Sequence, residues 1–283
     1  MKRKVILSLL LAIIGLVPAL AQPPSPIYPF SMSYDSSLNL MTVVSEPPGF
    51  TRYPDAKVTP FQLWLTNLPL LPLNIAVARW DGQIIMRADS TGGVIDFGVG
   101  SENQKDADIP LQLLLEYLRV RGSLGNYPII IRRGDTLTYN KWLNGIYSNG
   151  PRNELFYTPG EKREASEMEY YRYLQLIITE NDGKSLIKNL IPVDDNNIAP
   201  GTVFVQFRKD VPDSTGHTAV ILDVCTNPEG ELRILAGWGG DPAQSFFVAR
   251  PLPISDRVWF TLEEFKQRLQ KYGEGNFYRF PNR

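Results

Sequence analysis

Two hydrophobic periods alternate along this chain, and they predict its elements. Between Asn74 and Ala88, Ile75 and Val77 precede Asp81-Gly82, and Ile84-Ile85-Met86 follow. An Asp-Gly pair between apolar-rich runs predicts a hairpin with a two-residue turn that needs positive φ. Val94 to Val99 predicts a third short strand. Leu111, Leu114, Leu115 and Leu118 then fall on one helical face. Asp106 or Asp108 caps this helix, Pro110 is tolerated in its first turn, and Gly122 ends it. Tyr127 to Arg132, with its continuous Ile129-Ile130-Ile131, predicts a buried strand. Glu164 to Asn181 carries the longest helical pattern, with Tyr170, Tyr173, Leu174, Ile177 and Ile178 on one side and Gly183 as its stop. That aromatic stripe has the spacing of a core contact.

The last third has the marks of antiparallel sheet. Thr202 to Phe207, His217 to Cys225 and Leu232 to Ala236 are apolar runs, separated by a polar loop and by the turn Asn227 to Gly230. Thr261 and Glu264 form a capping box that opens a helix running to Tyr272, with Gly273 as its end. Phe277 to Phe280 returns as a final strand. Strands separated by helices, followed by a run of hairpins, predict an α+β fold: a mainly antiparallel sheet flanked by helices.

The N-terminus follows a different plan. Lys2, Arg3 and Lys4 precede an apolar run from Val5 to Val17, Pro18 breaks it, and Ala19-Leu20-Ala21 offers the small residues that signal peptidase reads. The run is about 20 Å long as a helix, short for a hydrocarbon core of ~30 Å. Residues 1–21 are therefore expected to be a cleaved signal peptide, residues 22–42 a Pro-rich leader, and residues 43–283 a single α+β domain. This places the mature protein outside the cytoplasm, in the periplasm or beyond the cell. Phe61 to Val77, the next apolar stretch, holds Asn67, Pro69, Pro72 and Asn74, which makes it a poor membrane span.

Charge and cysteine usage narrow the function classes. Loss of Lys2, Arg3 and Lys4 with the signal moves the formal charge from −1 to −4. A mildly acidic chain lacks the basic surface that nucleic acid or anionic lipid requires. One cysteine and one histidine supply no spaced Cys/His metal motif, and no cofactor signature is present. Asp194-Asp195-Asn196-Asn197 lacks the alternating ligands and closing Glu of a calcium loop, so it is expected to be a solvated turn.

The most informative segment is Gly201-Thr202-Val203-Phe204 followed by Gly216-His217-Thr218-Ala219-Val220-Ile221. It places the only histidine at the start of a strand. In NlpC/P60-type cysteine peptidases a histidine so placed turns toward a cysteine at a helix start, because the thiol needs a base within ~3 Å to ionise at neutral pH. Cys225 does not answer that need: eight residues of extended chain put it about 26 Å from His217. At the end of an apolar run it is expected to be a small core hydrophobe. His217 is either a hydrogen-bonded strand-end residue or a site base. No Gly-x-Ser-x-Gly elbow occurs. Asp81, Asp96, Asp106, Asp108, Asp194, Asp195 and Asp241 supply carboxylates, but a glycosidase assignment needs their separations. Trp238 beside Gly239-Gly240 suits either a ring lining a groove or a partly buried anchor.

Taken in order, several short motifs resemble a secreted bacterial family labelled "domain of unknown function 4846". They are Gly49-Phe50, Trp64-Leu65, Leu68-Pro69-Leu70, Asp81-Gly82, Val94-Ile95-Asp96, Glu116-Tyr117-Leu118, Trp142 with Gly145, Gly201 to Phe204, Gly216 to Val220, Leu235-Ala236 and Pro242-Ala243-Gln244. The resemblance spans nearly all of the mature chain and implies no activity. It does mark departures. Where the family pattern has a cysteine at the start of the central helix, this chain has Asp106. A usual Asp is Thr202, a Gln is Gly237 and an Arg is Tyr147. Polar positions change while the apolar framework stays. The sequence thus favours a non-catalytic binding or scaffold protein of the cell envelope, with His217, Trp238 and Trp142 as ligand contacts. Its partners would be a cell-wall fragment or an envelope protein. The alternative is a hydrolase of cell-wall peptide or glycan, with His217 as base and Asp106 as its acidic partner.

Overall fold

The computed structural model describes residues 27–31, 34–54, 57–98, 102–149, 155–207, 216–253 and 255–283, and the export segment expected over residues 1–21 lies outside them. The helices are α1 (Leu40–Val43), α2 (Pro60–Thr66), α3 (Ile109–Val120), α4 (Tyr139–Leu143), α5 (Glu167–Thr179), α6 (Gly183–Lys188) and α7 (Leu262–Leu269). The first eight strands are β1 (Thr51–Arg52), β2 (Val77–Ala78), β3 (Ile84–Met86), β4 (Gly93–Val94), β5 (Ile129–Ile130), β6 (Thr136–Leu137), β7 (Gly145–Asn149) and β8 (Leu155–Pro159). The rest are β9 (Ile191–Val193), β10 (Val203–Phe207), β11 (His217–Thr226), β12 (Leu232–Trp238), β13 (Phe247–Val248) and β14 (Glu274–Arg279).

Among the described residues one sheet has the strand order β4-β13-β12-β11-β10-β14-β9, with β1 also paired to β11. All of its pairings are antiparallel. The strand pairs β2-β3, β5-β6 and β7-β8 stand apart as hairpins. This is the α+β class that the pattern predicts, antiparallel sheets flanked by helices. No helix among the described residues is long and apolar enough to cross a membrane.

The central strands are apolar without alternation because both faces of the sheet are covered. Val203, Val205, Val220, Leu222 and Leu235 join the core that contains the leucines of α3 and the buried face of α5. Phe204, Ala219, Ile221, Ala236 and Trp238 join Phe260, Phe265 and Leu269 on the side of α7. Helix α3 is enclosed further than its leucine stripe predicts: Ile109 to Leu118 are all buried, Gln112 and Glu116 included. Gln112 accepts a bond from Gln104 (2.7 Å), and Oε2 of Glu116 pairs with Arg119 (3.1 Å).

Several local expectations change. Gly183 does not stop the long helix. Helix α5 ends at Thr179, and Gly183 opens α6 under a cap from Asp182, whose side chain accepts the Ser185 N–H. The strand expected over Tyr127 to Arg132 is only Ile129–Ile130, and it pairs with Thr136–Leu137 outside the main sheet. The strand expected over Val94 to Val99 shrinks to Gly93–Val94, paired with β13.

Packing also begins before Val43. Tyr28 is buried, stacks on Trp64 with ring centroids 4.9 Å apart and donates its hydroxyl to the Trp64 carbonyl (2.8 Å). Trp64 Nε1 donates in return to the Ile27 carbonyl (3.0 Å). The prolines of this stretch predict extended chain, but Tyr28, Phe30 and Tyr34 carry enough apolar surface to dock on α2.

Candidate functional site

The site forms where α3 opens, β11 begins and α7 ends. Gly216 holds φ at +85°, and a Cβ there would lie 2.9 Å from the Gln206 carbonyl oxygen. Only glycine makes that turn at this distance, and it delivers His217 as the first residue of β11, opposite Gln206. Asp106 starts a short 3-10 turn (Asp106–Asp108) that leads into α3. The turn is fixed by Asp108, which accepts the Lys105 N–H (2.7 Å) and the Asn181 side-chain amide (2.7 Å). Burial pushes the Asp108 carboxyl up to about 7, against the pull of those two donors.

These two elements bring Asp106 Oδ2 against Nδ1 of His217, with both side chains buried. A carboxylate in that position accepts a hydrogen bond from Nδ1–H, which fixes the ring and leaves Nε2 for another partner. Nε2 is buried and has no hydrogen-bond partner among the described residues. Tyr272 covers one face of the imidazole, its centroid 3.8 Å away and its plane tilted by 19°. Trp238 meets the ring edge-on at 6.3 Å.

Above this floor lies a cavity of about 370 Å³. One wall is the hairpin β2-β3, through Ile85 and Met86, another the loop Gly239 to Gln244, and a third the end of α7 with Arg268, Lys271 and Tyr272. The hairpin is tied to the loop: Trp80 N–H donates to the Ala243 carbonyl (3.0 Å), and Ser245 N–H donates to the Ala78 carbonyl (2.8 Å). Within the loop, Gln244 Nε2 donates to the Gly239 carbonyl (2.8 Å). A Cβ on Gly240 would fall 2.6 Å from the Gln244 amide carbon, so the glycine leaves room for this side chain.

Of the residues singled out in the sequence, Asp106, His217 and Trp238 converge here. Trp238 is an anchor more than a platform, only 7% exposed and packed on Phe247 and Phe260. Trp142 lies elsewhere. Its Nε1 donates to Glu169 (3.1 Å), Arg163 sits over its ring at 4.6 Å, and Tyr147 and Tyr173 complete an aromatic cluster at α4, α5 and β7. It does not line the cavity. Helix α4 starts at a cap from Thr138 to the Lys141 N–H, and the bond to Glu169 holds the indole against α5.

Among the carboxylates, Asp106 and Asp241 line the cavity. Asp195 is in a 3-10 turn and pairs with Lys266 (2.6 Å). No three His, Cys, Asp or Glu side chains gather into a cation site among the described residues. Cys225 is fully buried, and burial pushes its thiol up to about 12, which makes it inert as a nucleophile.

Three contributors escape the sequence. Tyr272, Arg268 and Lys271 belong to the α7 segment, where Tyr272 has the spacing of a last helical residue before Gly273. Nothing in that spacing says that the ring lies on His217.

Fold and site together define an α+β domain with a histidine-floored pocket at one end of an antiparallel sheet. By sequence the chain belongs to the family described as "Domain of unknown function (4846)", whose model matches residues 40–281. No curated protein and no solved structure matches it.

Proposed function

We propose that this chain is an exported binding domain of the bacterial cell envelope, and that the cavity over His217 holds a small ligand without converting it. The observation that carries this reading is the buried, orphaned Nε2 of His217, a residue that lines the cavity. A buried acceptor without a partner costs about 1–3 kcal/mol, which a donor on a ligand recovers. The imidazole is held by Asp106 and lies under Tyr272, which suits a fixed recognition group. The described lining holds no serine, threonine or cysteine to act as nucleophile. The signal-like N-terminus supports export, and a cell-wall fragment or an envelope protein is the partner that this location offers.

One observation favours a second reading. A carboxylate on Nδ1 also orients a histidine as a general base, so Nε2 would take a proton from water attacking a wall peptide or glycan. Mass spectrometry of purified cell-wall fragments incubated with the protein, in parallel with His217→Ala, separates the two. Co-sedimentation with intact wall and no new products is the expected result. Products that appear with the wild type and vanish in the variant would replace binding with hydrolysis.

A further inference from the structure

The binding reading leaves open what the cavity takes, and the charges around it bear on that choice. Two cations stand at the end of α7. Arg268 is half-buried, its Nε is buried and unpartnered, and Lys271 is exposed. Neither makes an ion pair among the described residues, although their helix also carries Glu263 and Glu264. Glu264 is engaged with Arg257 (2.9 Å) and with the Thr261 N–H (2.9 Å), so it does not neutralise them. Lys271 Nζ lies 4.7 Å above the ring of Tyr272, which itself covers His217. One free anion, Asp241, stands on the loop wall, exposed and unpaired among the described residues. Asp106, the other acid of the lining, is already committed to His217.

Unpaired charges of both signs on separate walls of one small cavity match a ligand that carries both signs itself. A charged rim group without a partner gains most from an opposite charge that arrives already oriented. The floor adds a third requirement, an N–H or O–H donor for Nε2 of His217. A short peptide with free ends meets all three, with a carboxylate, an ammonium and an amide N–H between them. A dipeptide also fits a volume of about 370 Å³.

We infer that the cavity recognises a zwitterionic short peptide, its carboxylate on Arg268 and Lys271, its ammonium on Asp241 and an amide N–H on Nε2 of His217. This rests on the cavity being a binding site, as proposed above.

The only histidine of the chain makes the test direct, because ¹⁵N-histidine labelling gives one side-chain Nε2 resonance to follow. The probes are L-alanyl-L-alanine, its N-acetyl form, its C-terminal amide, the doubly blocked dipeptide, and N-acetylglucosamine as a neutral control. The free dipeptide is expected to move the resonance and saturate, and either blocked end to weaken the affinity at least about tenfold. Arg268→Ala with Lys271→Ala should abolish the preference for a free carboxylate, and Asp241→Asn the preference for a free amine. These rim residues are exposed or half-buried, so the variants keep the fold. A doubly blocked dipeptide that binds as well as the free one overturns the inference. So does movement by N-acetylglucosamine alone, which leaves the binding reading standing. If no probe moves the resonance, both fall.

Discussion

Asp106 Oδ2 faces Nδ1 of His217, which ties the turn that opens α3 to the first residue of β11. Both partners are buried, so removing one leaves the other without compensation. Asp106→Ala should cost about 2–4 kcal/mol in urea unfolding. Asp106→Asn keeps an acceptor for the Nδ1 proton and should cost less than half of that. Equal losses for the two variants would mean that charge, not hydrogen bonding, holds the pair.

The same geometry makes a prediction about reactivity. Asp106 precedes a twelve-residue helix and touches an imidazole, two features that lower a thiol's pKa. In Asp106→Cys the new thiol should alkylate with iodoacetamide near pH 7. Cys225, pushed up to about 12 by burial, should stay unmodified in the native protein. Peptide mass spectrometry across pH 5 to 9 reads both sites at once. A thiol at position 106 that reacts only above about pH 8.5, the ordinary value, would show that the pairing does not activate it.

Asp108 gives a pH dependence of defined sign. Its folded carboxyl is raised to about 7 by burial, above an unfolded value of ~3.9. Between these values the folded state binds more protons, so stability falls as pH rises from about 4 to 7 and then levels off. Asp108→Asn removes this contribution. Thermal unfolding should show that the difference between variant and wild type shifts in the variant's favour across that window, by an amount on the order of a few kcal/mol at most. A difference that stays constant from pH 4 to 8 would rule out the raised carboxyl.

Gly237 lies on β12, paired with Val248 of β13. A Cβ there would meet the Phe247 carbonyl oxygen at 2.8 Å and both Leu222 and Phe246 at 2.9 Å. Backbone on one side and the buried side chains of Leu222 and Phe246 on the other leave little room to yield. Gly237→Ala should therefore cost about 1–3 kcal/mol and lower the melting temperature by several degrees. An unchanged melting temperature would mean that β13 shifts freely.

Local pattern carried much of the fold. The Leu111 to Leu118 stripe, Gly122 after it and the Thr261–Glu264 capping box depend on near neighbours, and all are present. The Asp81-Gly82 hairpin forms too, but with three residues, Trp80 to Gly82, between the paired Arg79 and Gln83 instead of two. Two expectations fail for different reasons: Gly183 opens α6 because the neighbouring Asp182 and Ser185 form a cap, whereas the strand expected over Tyr127 to Arg132 is cut short by contacts from distant residues. The side chain of Asn189 takes both polar groups of Ile130, accepting its N–H (2.7 Å) and donating to its carbonyl (2.8 Å), so the strand finds its partners outside the main sheet.

The site divides the same way. Sequence alone picked His217 and Asp106, because the first is the only histidine and opens a strand, and the second opens a helix. It also marked Trp238 by its paired glycines. That Asp106 meets Nδ1, that Tyr272 lies on the ring, that Arg268, Lys271 and Asp241 line one cavity, and that Trp142 belongs to another cluster were decided by the tertiary structure. Periodicity records which side of an element faces the core. It carries no information about which ends of distant elements meet, and a site is made of such ends.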